Sequence, residues 1–498
     1  MELRHRPELN DGLVYHITMI PRVLITAALL AVPVALAQGL PDLGEPAQAA
    51  LSPAQERLLG QSIMRQARRD PDFFAHPEAT DYIARIGARL AAKGLDTRQT
   101  FEFFLMRDRE INAFALPGGF IGVHTGLIMA AQSESEMAGV VAHEIAHVTQ
   151  RHIARMMSND TSSHWFTLAS LAVAILAARS NSQLAQGLAT AGPALAVQRQ
   201  LDFSRDFERE ADRVGFQMLE KAGFDHQGMS GFFERLQRAT RVYEGGAPAY
   251  LRTHPLNHER IADMQSRSAG LPYRQVPDSV EFHLVRARLK SEVEPPRETV
   301  AYYRDLVASQ RYQSEAGAYY GWANALLRYA DVAGARTAHA RLAKLLPAHP
   351  MVDLLGCRIK LAGGEVDTQQ CYQAALKAYP DQRAIVYEYT EVLLRFRDPA
   401  EALRVVEARL ATERSDHRLR QFQSRAYAAL NRRLAHHRAQ AEVYWLLGST
   451  TAAVEQLQLG LAAGDGDYYQ MSAAEARLRE LRRQDAEERK DAGRDAKK

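Results

Sequence analysis

The stretch "VVAHEIAHVTQRH", residues 140–152, decides how the chain is read. Two histidines, His143 and His147, stand four apart with Glu144 between them. On a helix that spacing puts both imidazoles on one face, where their nitrogens can meet a single zinc ion. Glu144 leans over the same point and is placed to take a proton from a water whose pKa the metal has lowered. The bland alternative is a surface helix with incidental histidines. Against it, Ala142, Ile145, Ala146 and Val148 make the helix apolar nearly all round, which indicates burial. Buried imidazoles need partners.

Zinc requires a third protein donor. An extension to HExxHxxGxxH would need Gly at 150 and His at 153; the chain has Gln150 and Ile153. The helix reads as one run, "ESEMAGVVAHEIAHVTQRHIARMM". On it His152 falls nearly opposite His143, either at the surface or behind the ligands. Downstream, "FSRDFEREADRVGFQML" (203–219) reads as a second helix on which Glu208 and Asp212 share a face. Glu208 is the candidate third ligand. Asp212 can accept a hydrogen bond from a ligand imidazole and fix its tautomer. Alone, that helix would read as a solvated charged face; the first helix's need for a partner decides otherwise.

HExxH followed by ExxAD resembles the zinc endopeptidases related to the CAAX prenyl protease. "INAFALPGG" (111–119) and "THPLNHERI" (253–261) are similar to that family too, so the motifs span residues ~40–265. The resemblance implies one zinc per chain held by His143, His147 and Glu208, with Glu144 as general base. It also implies a catalytic-site role for His254 and Arg260. His254 then either donates to the oxyanion or takes the fourth zinc position and holds the enzyme idle. The bland reading is a loop histidine capping a helix at 257–266. Integral-membrane members of the family carry long spanning helices; this chain does not, so prenyl-peptide processing is not implied.

Composition sets the frame. The 498 residues are 46% hydrophobic and 24% charged, ordinary for a globular protein of two or three domains, and the net charge of +3 gives no case for nucleic acid. From Met19 the chain reads "MIPRVLITAALLAVPVALAQG": a short positive region, an apolar core and an A-x-A cleavage site. The expectation is a signal peptide over 1–37, an alternative start at Met19, and a periplasmic protein beginning at Gln38. The remaining expectations for the first half, 38–270, are helices at "LSPAQERLLGQSIMRQARR" and "EATDYIARIGARLAAKG" and strands at "TFEFFLMRD" and "NAFALPGGFIGVHTGLI". Pro117-Gly118-Gly119 breaks the second strand at a turn. An extended substrate is expected to pair with backbone near Asn112, Ala113, Phe114 and Ala115. The apolar run 164–178 is too short to span a membrane and reads as a buried helix, with peripheral membrane contact as the alternative. A loop rich in small residues follows it.

The second half changes character. "LPYRQVPDS" marks a linker over 271–282. From 283 to 482 helix follows helix. Pro347 and Pro380 stand 33 apart, near the 34-residue tetratricopeptide period, and Leu355-Gly356, Tyr372 and Ala375 fit that repeat's pattern. Stacked helix pairs offer a concave surface for polypeptide; a plain bundle is the bland alternative. Residues 483–498 lack apolar positions and read as a disordered tail. Cys357 and Cys371 sit at similar heights on two antiparallel helices turning at Gly363-Gly364, so an oxidising compartment permits a bridge; spacing leaves open whether they face each other. The fold class expected is mainly α: an α+β metallopeptidase domain with a small sheet, then an all-α tetratricopeptide-like solenoid. The function expected is periplasmic zinc endopeptidase. The resemblance implies outer-membrane β-barrel proteins and their assembly machinery as clients and partners. A chaperone or scaffold with a structural zinc is the rival, and an intact Glu144 speaks against it.

Overall fold

The computed structural model describes residues 51–94, 99–158, 205–240, 249–272 and 274–495. All fall in one compact unit, Pro46–Lys498. The signal-peptide segment, the apolar run 164–178 and the loop after it lie outside the described residues. Among the described residues no helix is long and apolar enough to cross a membrane.

The catalytic half opens with α1 (Pro53–Ala67) and α2 (Pro77–Ala91). Ser52 and Gln55 close a capping box at the first, and Pro53 takes the position where a missing N–H costs nothing. Strands β1 (Glu102–Met106), β2 (Ala113–Leu116) and β3 (Phe120–His124) form a sheet in the order β1-β3-β2. β1 runs parallel to β3 and β2 antiparallel. The turn between β2 and β3 holds Gly118 and Gly119 at φ 75° and 89°, where a side chain would be strained. The strand read through Ile128 in the sequence stops at His124. Thr125–Ala130 is a short helix, α3.

α4 (Glu134–Thr149) is the helix of the opening motif. Ser133 caps it, and Glu134 and Glu136 complement its dipole. It is buried from Glu134 to Val148, as its all-round apolar character requires. The single helix expected through Met157 is instead two. Arg151 adopts φ 53°, and α5 (His152–Ser158) leaves on a new axis. Anchors hold Arg151 there: it donates to Leu51 O and pairs with Glu56 at 3.4 Å. α6 (Arg205–Lys221), α7 (Gln227–Thr240), α8 (Ala249–Thr253) and α9 (His258–Ala269) complete this half.

Twelve helices follow: α10 (Val280–Val293), α11 (Pro296–Ser309), α12 (Glu315–Arg328), α13 (Val332–Leu345), α14 (Pro350–Gly363), α15 (Thr368–Ala378), α16 (Arg383–Arg395), α17 (Pro399–Leu410), α18 (His417–Ala429), α19 (Arg433–Leu446), α20 (Thr450–Ala463) and α21 (Tyr468–Asp495). They form six helix pairs whose first helices start 33–35 residues apart, which is the spacing of a helical-hairpin repeat. Gly321 and Gly356, one period apart, sit where Tyr303 and His339 press against the first helix of the next pair; a Cβ would fall 2.2 and 3.0 Å from those rings. Cys357 on α14 and Cys371 on α15 are joined as a disulfide, with Cα atoms 5.6 Å apart.

Three expectations for this half change. The first helix begins at Val280, capped by Ser279, inside the stretch read as linker. The segment read as a disordered tail is helical to Asp495. Buried Leu478 and Leu481 anchor it, Trp445 donates to Gln484, and Arg489 pairs with Asp485 one turn back. Finally, the repeats, read as a domain beyond a linker, pack directly on the catalytic half. α2 lies against α10 and α16, Arg358 of α14 reaches Glu78 at 3.0 Å, and Arg383 pairs with Asp81. At the far end Arg69 donates to Leu447 O at 2.9 Å. One hydrophobic cluster continues from the sheet and α4 into α14.

Candidate active site

Four elements deliver the site. α4 supplies His143, Glu144 and His147. α6 crosses α4 so closely that a Cβ on Gly215 would lie 3.0 Å from His143 N, which lets Glu208 and Asp212 face the imidazoles. His254 follows α8, and Arg260 opens α9. One donor atom each from His143, His147, Glu208 and His254 lies within 4.8 Å of all the others, and every one of these residues is buried. The two Nε2 atoms of His143 and His147 are 3.0 Å apart. Glu208 stands 3.4 Å from each. His254 Nδ1 is 3.0 Å from Glu208 Oε1, and its Nε2 is 3.4 Å from Glu144 Oε1.

Hydrogen-bond chemistry tests whether a cation fits. Asp212 Oδ1 lies 3.0 Å from His143 Nδ1. An ionised carboxylate only accepts, so His143 carries a proton on Nδ1, and Nε2 is the nitrogen a cation would meet. On the other side Glu210 Oε2 lies 3.3 Å from His152 Nε2, and His152 Nδ1 lies 2.9 Å from His147 Nδ1. The same logic runs along that chain. His152 donates to Glu210, so its Nδ1 accepts, so His147 donates from Nδ1 and turns Nε2 toward the same point. The two Nε2 atoms and Glu208, which stands 3.4 Å from each, converge on one point, as donors to a shared cation would. The nitrogen-and-carboxylate set is the one zinc takes.

The charges respond to burial. Burial pushes Glu144 above the ordinary carboxylate range, against the pull of His254 and His143. Burial also opposes ionisation of Asp212, but Arg260 and His143 outweigh it and hold the carboxyl below its usual value. Arg260 does this with two bonds, Nε to Oδ2 at 2.6 Å and Nη2 to Oδ1 at 2.8 Å. Its Nη1 lies 2.8 Å from both Glu208 Oε2 and Pro255 O. Arg260 was expected as a catalytic group. In this structure its donors meet the carboxylates of Asp212 and Glu208 and the Pro255 carbonyl.

β2 is the edge strand beside the site, and α4 packs against it. His124 N donates to Asn112 O, so by antiparallel alternation Phe114 and Leu116 bond to β3 while the backbone groups of Ala113 and Ala115 point away from it. Among the described residues no strand covers that edge. The Phe114 ring packs edge-on against Phe104, and the buried Asn112 side chain has no hydrogen-bond partner among the described residues. Of the two alternatives open for His152 the structure takes the second, and one site residue, Tyr250, escaped the sequence reading. His152 was placed at the surface or behind the ligands; the break at Arg151 makes it fully buried behind His147. Tyr250 stacks on His254 with centroids 4.7 Å apart, and burial raises its phenol well above its usual pKa. No motif spacing singles it out.

A buried HExxH helix, a carboxylate from a crossing helix and an open strand edge define a metallopeptidase. Residues 77–268 match peptidase family M48. The chain is 31% identical to the β-barrel assembly-enhancing protease of Escherichia coli K12 over 90% of this chain and 92% of that protein. This chain belongs to peptidase family M48. A Vibrio cholerae relative assigned to the same protease is 42% identical over 50% of this chain, and the match spans about half, 51%, of that relative's length. The Schizosaccharomyces pombe mitochondrial metalloendopeptidase OMA1 is 33% identical over 40% of this chain and 55% of that protein.

Proposed function

We propose that this metalloprotease is a periplasmic zinc endopeptidase acting on unfolded or misassembled polypeptides, outer-membrane β-barrel proteins among them, with the repeats engaging clients or assembly partners. One observation carries it: the Nε2 atoms of His143 and His147 and the Glu208 carboxylate converge beside Glu144 next to a strand edge that no described strand covers. Zinc bound there supplies Lewis acidity and a water of lowered pKa. Glu144 takes the proton of the attacking water on a carboxylate oxygen and returns it to the departing amine. Ala113 and Ala115 pair with an extended substrate through backbone alone, which is weakly sequence-selective and suits unfolded chains. The E. coli relative's name supports the choice of clients. A scaffold with a structural zinc would need no buried carboxylate at 144.

The test is Glu144→Gln. It should keep about one zinc per chain, because the donors remain. Cleavage of an unfolded β-barrel protein should fall roughly 10²–10⁴-fold, the usual worth of a general base. Unchanged cleavage would sink the mechanism. His254 separates two further readings. Its place in the donor set favours a fourth ligand that holds the resting site closed. His254→Ala should then raise the rate of cleavage; a lower rate would assign it to the oxyanion instead.

A further inference from the structure

The two ligand imidazoles are backed differently. Behind His143 stands a carboxylate, Asp212, itself clamped by Arg260. Behind His147 stands another imidazole. His152 Nδ1 lies 2.9 Å from His147 Nδ1, and its Nε2 is 3.3 Å from Glu210 Oε2, which also receives Arg155 Nη1 at 2.8 Å. His152 is fully buried and stacked flat on Phe207, with centroids 4.6 Å apart. A left-handed residue, Arg151, breaks the helix so that a side chain otherwise directed away from the ligands swings in behind one of them. Nothing in the proposed reaction uses His152.

We propose that His152 is a positioning residue for the metal: held by Glu210 and Arg155, it fixes the tautomer and ring plane of His147 and so sets how tightly zinc is kept. This rests on the zinc reading above. A neutral imidazole is a weaker acceptor than a carboxylate, so it raises the basicity of its ligand less. The His147 arm is therefore the weaker of the two, and it is wired to the surface: Glu210 and Arg155 are 24% and 37% exposed. Loss of His152 frees the His147 ring to turn and to carry its proton on the nitrogen that should bind metal.

The experiment compares His152→Leu, His152→Asn and Glu210→Ala in the full chain, by zinc competition against a chelator and by visible absorption after cobalt(II) substitution. Leu fills the space but accepts nothing; zinc affinity should drop about 10–100-fold and the cobalt bands should weaken. Asn places its Oδ1 near the lost Nδ1, so affinity and spectrum should stay close to wild type. Glu210→Ala, away from the core, should show a smaller drop than Leu. Melting of the metal-free proteins reports any loss of packing separately. Equal affinities for wild type and His152→Leu would overturn the proposal, as would Asn falling as far as Leu. A wild type that takes up no zinc would instead overturn the metal reading itself.

Discussion

The two halves hold together by opposite means. In the catalytic half the site draws on residues 143, 208 and 254, and the sheet pairs β1 with β3 across an intervening strand. In the repeats helices meet chiefly the next helix or the next but one in sequence, and the one covalent link closes a loop of 14 residues. Non-local cohesion makes the first half stand or fall as a unit. Local cohesion lets the second absorb damage in one pair. Two things join them: a shared hydrophobic cluster, and a buried set of charges where α2 meets the repeats.

That junction offers the largest test. Arg358 is 11% exposed, bonds Glu388 through Nε at 2.9 Å and reaches Glu78 at 3.0 Å. Glu78 is buried, and although burial opposes its charge, Arg358 and Arg288 keep its pKa below the ordinary value. Arg358→Ala leaves that charge short of its main partner, a change that typically costs about 3–5 kcal/mol. Calorimetry should show one transition for the wild type and two for the variant, with the repeats melting first. An unsplit transition at the wild-type temperature would mean the halves are joined by the shared hydrophobic cluster alone.

The disulfide tests the local side. Replacing Cys357 and Cys371 with alanine should cost about 3 kcal/mol, the entropy of a loop of that length. The loss should stay within the third pair: repeat unfolding shifts, while zinc content and cleavage hold. A drop in zinc content would break the comparison, because it would show the repeats supporting the site.

How much was legible follows the same division. His143, His147 and Glu144 were readable because a helix converts spacing into direction. Glu208 and Asp212 were readable because the first helix demanded a partner. His152 stayed open between the surface and the space behind the ligands, since its position depends on one left-handed residue, Arg151, and a helical wheel assumes the helix continues. Arg260 was recognised, but spacing did not reveal that its guanidinium is bonded to Asp212. In the repeats the period was visible at Pro347 and Pro380, yet the packing against α2 was not. It depends on single charged residues, Arg358 and Arg383, whose partners lie some 300 positions earlier. The final helix was missed because Ala, Glu, Arg and Lys serve a solvated helix as well as a disordered tail.

The smallest effect probes the junction by pH. His76 caps α2 through Nδ1, and its Nε2 lies 3.4 Å from Glu292 and 4.0 Å from Glu78. Burial lowers its pKa below 6.5; Glu292 and Glu78 pull it back, and Arg288 and Arg358 push it further down. The unfolded chain therefore binds a proton at His76 before the folded one does. Its contribution is present above about pH 6.5 and is lost as pH falls toward the folded pKa, by at most about 1.4 kcal/mol per pH unit. Glu78, with its lowered pKa, acts only below about pH 4.5, outside that range. His76→Asn keeps a capping acceptor and removes the titration. Between pH 7.5 and 5.5 the melting temperature of the variant should fall less than that of the wild type, since the remaining histidines titrate alike in both. Parallel curves would mean that acid loosens the molecule elsewhere, and that the junction between the two halves is blind to pH.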